Sequence, residues 1–161
     1  MMTKSKMLSL LAAAIALGAS AGSMADDEDG GRLAGVWRMT RTPIDCQSGQ
    51  QVAPSFQAIM TFNEDGTLSG YAVPPSSSPA LGSPEFGVWK RERGGGNYSF
   101  TDLSYSYDEG GAFAGSIELN AQVQLRAGGR TLTHHTKIDF FDGNGAFLFS
   151  ACGRATGTRF R

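Results

Sequence analysis

Between Ile117 and Leu125, the apolar residues Ile117, Leu119, Ala121, Val123 and Leu125 alternate without a break with Glu118, Asn120, Gln122 and Gln124. A period of two is the signature of a strand with one dry face and one wet face. The rest of the chain after residue 32 reads the same way: short segments rich in Phe, Tyr, Thr and Val, cut at glycines, with no 3.6-residue apolar stripe. Eight strands are predicted, over 33–42, 55–62, 66–73, 85–92, 97–106, 112–125, 130–141 and 145–160. Their near-even spacing predicts an all-β fold, an eight-stranded antiparallel up-and-down β-barrel, as one domain over 33–161. "GVW" occurs at Gly35–Trp37 and again at Gly87–Trp89, and is read as two strand starts.

In such a meander, connections alternate between the two ends. The segments 41–53, 74–84, 108–111 and 142–145 fall at one end, and the short turns 63–65, 93–96 and 127–129 at the other. This predicts an open mouth and a closed base, with the proline-rich 74–84 as a candidate lid.

His134 and His135 are the only histidines. Neighbours on a strand point to opposite faces, so the two cannot converge on one metal or one proton. His134 shares the inward face with Leu132, Thr136, Ile138 and Phe140. Pairing Phe141 with Ala146 across the last hairpin sets Ile138 opposite Phe149, Thr136 opposite Ala151 and His134 opposite Gly153. His134, Phe149 and Gly153 are therefore candidate ligand contacts. Pairing Phe62 with Thr67 places Tyr71 inside, opposite Ala58, with its hydroxyl available to orient a ligand. Arg41 follows Trp37 and Met39 on one face near the mouth, as a carboxylate binder or a rim charge. The phase of the fourth and fifth strands leaves open which of Trp89, Phe100, Asp102 and Tyr105 faces in.

Composition narrows the functions. Lys4 and Lys6 precede an apolar run to Leu17, and small residues end in "SMA" at Ser23–Ala25. This reads as a secretory leader over 1–25. The acidic "DDED" opens a disordered segment over 26–32. Lys4 and Lys6 are the leader's only charged residues, so its removal takes the formal net charge from −1 to −3. No basic run follows, which excludes nucleic acid. The leader run is shorter than the roughly 20 residues a span needs. An outer-membrane barrel would turn Ser116, Glu118, Asn120 and Gln122 toward lipid, so a membrane-spanning role is excluded. Zinc would need three or four converging ligands, and no such spacing occurs; no metal or cofactor is expected. Cys46 and Cys152, the only cysteines, are read as one disulfide of a secreted or periplasmic protein.

"LAGVW" at the first strand and "TGTRF" at the last resemble the terminal motifs of the lipocalins and the wider calycin group. That resemblance implies that Arg159 packs over Trp37 at the closed base of a lipocalin-like barrel. The chain also resembles bacterial secreted proteins of uncharacterised function that share "DC", "TF…GTL", "GVW", "FAG", "FFD.NG…LF..C" and "ATG.RF" in this order. Three functions follow as expectations. The first is a barrel that binds a small apolar or aromatic molecule through His134, Tyr71, Arg41, Phe149 and Gly153. The second is an isomerase or cyclase in the same barrel, using His134, Tyr71 and Arg41. The third is a barrel filled by its own side chains.

Overall fold

In a computed structural model, which describes residues 33–72, 74, 78, 81–126 and 128–160, the described residues form eight strands and no α-helix. They are β1 (Gly35–Ile44), β2 (Phe56–Phe62), β3 (Thr67–Ala72), β4 (Glu85–Arg91), β5 (Asn97–Tyr107), β6 (Phe113–Leu125), β7 (Thr131–Asp142) and β8 (Phe147–Arg159). Each pairs antiparallel with its sequence neighbour, and β1 pairs with β8, closing an up-and-down barrel. This architecture is consistent with a lipocalin-like barrel. The expected leader over 1–25 and acidic segment over 26–32 lie outside the described residues, as does much of the expected lid over 74–84.

The base is sealed by its own residues. Leu33, Trp37, Met39 and Met60 are fully buried, with Phe62, Leu68, Phe100 and Leu132 packed around them. The Trp37 indole Nε1–H donates to the carbonyl of Leu33 at 2.9 Å. The Arg159 guanidinium stands 4.4 Å from the centre of the Trp37 ring and donates to the carbonyls of Ala34 and Gly129. Cation–π packing of this kind contributes roughly 0.5–2 kcal/mol. It also ties the first strand to the last.

Turn chemistry sets which face each strand shows. At Asn63–Thr67, the Gly66 N–H donates to Asn63 O, the Asn63 N–H donates to Thr67 O, and Gly66 has φ +86°. That is a type I turn followed by a left-handed glycine, which uses one residue more than a four-residue connection. The same pattern recurs at Asp108–Ala112 and Asp142–Ala146.

The extra residue corrects two expected registers. In β2–β3, Phe62 pairs with Leu68, so Leu68, Gly70 and Ala72 face in. Tyr71 lies opposite Ile59, on the outer face, and is 40% exposed. In β7–β8 the turn adds one residue and a bulge at Phe140/Phe141 adds another. The inward faces survive, but each partner moves by two: Ile138 meets Ala151, Thr136 meets Gly153 and His134 meets Ala155. Phe149 thereby moves to the rim, where it stacks on Phe140 at 4.5 Å and is 54% exposed.

Cys46 and Cys152 form the expected disulfide, with their Cα atoms 5.2 Å apart across 106 positions of sequence. β1 runs out beside β8 as far as Ile44, opposite Cys152, so the bridge fastens the seam. A cross-link over about a hundred residues stabilises by up to about 4–5 kcal/mol in the chain-entropy model. Reduction, or Cys46→Ser with Cys152→Ser, should lower the unfolding free energy by a few kcal/mol in denaturant titration while leaving a barrel circular-dichroism spectrum.

Candidate functional site

Above the sealed base the barrel opens into a cavity of about 420 Å³. Its walls are mostly apolar, with Phe56, Ala72, Leu119, Ile138 and Phe140 among them. Its floor is not. Arg41, Glu85, Asp102 and His134 are all inward-facing and all buried.

Alternation along each strand puts these groups there. Trp37 and Met39 face in on β1, so Arg41 follows two residues on. It is a buried residue inside the barrel, which corrects the expected rim position. On β4, Trp89 packs against the core, so Glu85 faces in four residues earlier. On β5, buried Tyr98 and Phe100 fix Asp102 inward, while Tyr105 is 44% exposed. Glu85 lies beside Gly70 of β3, where a Cβ would stand 2.7 Å from Glu85 Oε2. A side chain there would expel the carboxylate.

Arg41 and Glu85 form a bidentate pair, with Nη1 and Nη2 donating to Oε1 and Oε2 at 2.5 and 2.7 Å. Nη2 also approaches Met60 Sδ at 3.3 Å. Burial disfavours the Arg41 charge, yet its bond to Glu85, the charge of Glu85 and that of Asp102 outweigh this and raise its pKa. Asp102 is pushed up to about 8, chiefly by burial and further by the neighbouring Glu85, against the pull of Arg41. It is a neutral acid at pH 7, able to donate. His134 is held down to about 3, mainly by burial, with Arg41 and His135 adding to it. Its neutral ring shares a hydrogen bond with Thr136 Oγ1 through Nδ1 at 2.7 Å and meets Phe100 edge-on at 5.4 Å.

Three buried atoms of this floor, Arg41 Nε, Asp102 Oδ2 and His134 Nε2, have no hydrogen-bond partner among the described residues. An unsatisfied buried polar group costs about 1–3 kcal/mol, so three on one cavity are a strong departure from ordinary packing.

The expected site residues fall at different depths. His134 and Arg41 join at the floor, Gly153 lines the wall, and Tyr71 touches the cavity only from its outer position. Phe149 does not line it. Glu85 and Asp102 complete the floor; sequence alternation does not mark the first and does not decide which way the second faces. The inward setting of Trp89 is the signal that finds Glu85. Among the described residues no cluster of three or more His, Cys, Asp or Glu is placed to hold a metal ion. No protein-family model and no curated protein matches the chain.

Two measurements check this electrostatic picture. Arg41→Met should destabilise the fold by roughly 3–5 kcal/mol, because it strands a buried Glu85, and Arg41→Met with Glu85→Leu should recover most of that loss. Proton linkage gives the second. Folded Asp102 keeps a proton that the unfolded chain loses above about pH 4, so it makes stability fall as pH rises toward 8. His134 acts oppositely, making stability rise from about pH 3 to its unfolded value near 6.5. Between pH 6.5 and 8 only the Asp102 effect remains. Unfolding free energy should drop there by up to about 1.4 kcal/mol per pH unit, and Asp102→Asn should flatten the slope.

Proposed function

We propose that this chain is a secreted or periplasmic binding protein that holds a small, mostly apolar or aromatic molecule inside a lipocalin-like barrel. The observation that carries this reading is the apolar cavity with three unpartnered polar atoms on its floor. Sites for small molecules have this form: a concave apolar surface of about 300–1,000 Å³ with a few placed polar groups. A ligand that fills the walls and supplies a hydrogen-bonding head removes the floor's penalty. An interior filled by its own side chains would leave no such space. The disulfide suits an oxidising compartment. The outer face of β6 carries exposed Glu118, Asn120, Gln122 and Gln124, which suits water and not hydrocarbon.

One observation favours catalysis as a second reading. An imidazole and a carboxylic acid line the same cavity, the pair of groups an isomerase or cyclase uses to move a proton, although a ring held down to about 3 is a weak acceptor and favours binding over turnover. In that reading His134 Nε2 accepts and Asp102 donates. Arg41 is engaged by Glu85 and Tyr71 stands on the outer face, so neither takes the stabilising role expected of it.

Native mass spectrometry of protein purified from its own host should show a copurified small molecule, or an interior that admits a neutral fluorescent dye. An interior closed to both would contradict binding. His134→Ala should weaken retention by about tenfold or less if the protein is a carrier, whereas loss of nearly all turnover of the retained compound would mark an enzyme.

A further inference from the structure

The charges on the cavity floor cancel. Arg41 is positive and both of its terminal nitrogens are taken by Glu85, which is negative. Asp102 and His134 are neutral near pH 7. The formal charge of the four groups is therefore zero. Arg41 Nε, Asp102 Oδ2 and His134 Nε2 have no hydrogen-bond partner among the described residues, and each is covered by the side chains around it.

While Arg154, the other cation lining the cavity, sits at an exposed position of β8, a carboxylate reaching this floor would find the Arg41 guanidinium already held by Glu85. It would be buried near Glu85, the carboxylate that already holds Arg41, and its desolvation would go uncompensated. An ammonium head would meet the Arg41 N–H, an obligate donor, with its own donors. An uncharged oxygen brings no charge to bury: it can accept from Arg41 Nε and, as a hydroxyl that both donates and accepts, can pair with Asp102 or His134 whichever way their protons lie.

Building on the reading of the cavity as a ligand site, we propose that it selects molecules with an apolar body and one uncharged oxygen head, an alcohol, phenol or ketone, and excludes the matching carboxylates. Arg41, Asp102 and His134 form the polar end that receives the head, with small side-chain shifts uncovering Arg41 Nε, Asp102 Oδ2 and His134 Nε2 to it, and Glu85 sets the selectivity by cancelling the Arg41 charge. Taking a water's share of liquid volume, about 30 Å³, as the size of one heavy atom, a 420 Å³ cavity admits a ligand on the order of fourteen heavy atoms.

The test is displacement of the neutral dye N-phenyl-1-naphthylamine from the full protein at pH 6.5 by a chain-matched series: 1-decanol, 2-decanone, decanoic acid, decylamine and undecane. The alcohol and the ketone should compete about ten- to a hundredfold more tightly than the acid, the amine and the plain alkane. In Glu85→Gln the Arg41 charge is freed, and the order should invert toward the acid. Decanoate binding the natural protein as well as decanol, or undecane matching decanol, would overturn the selectivity while leaving the cavity a ligand site. Dye exclusion, with no competitor bound by calorimetry, would remove the ligand site itself. Should Glu85→Gln not fold, the series on the natural protein decides alone. A folded Glu85→Gln that still rejects decanoate would overturn the role given to Glu85.

Discussion

The eight register pairs between β1 and β8, from Trp37 opposite Arg159 to Ile44 opposite Cys152, leave the sheet with no free edge. Once the ribbon is closed, half of its side chains are committed to one interior, and water reaches that interior only through an end. The base end is filled by Trp37, Leu33 and the Arg159 guanidinium. Every inward polar residue above that plug must then find a partner inside or be exposed to whatever enters the mouth. Arg41 shows the consequence. It sits two residues beyond Met39 on a strand whose face is fixed by Trp37, so its guanidinium is buried inside the barrel, and Glu85 accompanies it there.

Burying this pair is not a source of stability in itself, since desolvation offsets most of the attraction between its members. What the pair does is fix the electrostatics of the floor. It engages the buried Arg41 guanidinium and adds a negative charge that, with burial, keeps a proton on Asp102. His134 loses its charge to the same dryness. A floor that is polar, without net charge and incompletely hydrogen-bonded under apolar walls is poor packing for an empty barrel and good recognition for a ligand of matching chemistry.

Much of this was legible in the chain. The alternation in Ile117–Leu125 gives β6 and its inward set, and the adjacency of His134 and His135 alone decides that only one of them is inside. The seam disulfide was legible from two cysteines in a chain with a leader-like start. What could not be read was turn length. A glycine at φ +86° in Asn63–Thr67 adds one residue to the connection, and one residue reverses the face of a whole strand, which is why Tyr71 is outside. At Asp142–Ala146 the same turn is followed by a bulge, and the two single-residue shifts add to two, so the inward face of β8 was right while its partners were not. Glu85 was hidden for a related reason: no alternation within "EFGVWKR" announces a face, and only the packing of Trp89 against the core assigns one.

The buried floor without net charge is the feature on which both binding and selectivity rest, and the protonation of Asp102 reports it most directly. Carbon-13 NMR of the aspartate side-chain carboxyls across pH 4–10 reads that state residue by residue, with Asp102→Asn supplying the assignment. An Asp102 resonance that titrates near pH 8, far above the ordinary aspartate value of about 3.9, is the expected result. Titration of that resonance near 4 would mean a solvated, charged floor and would contradict it.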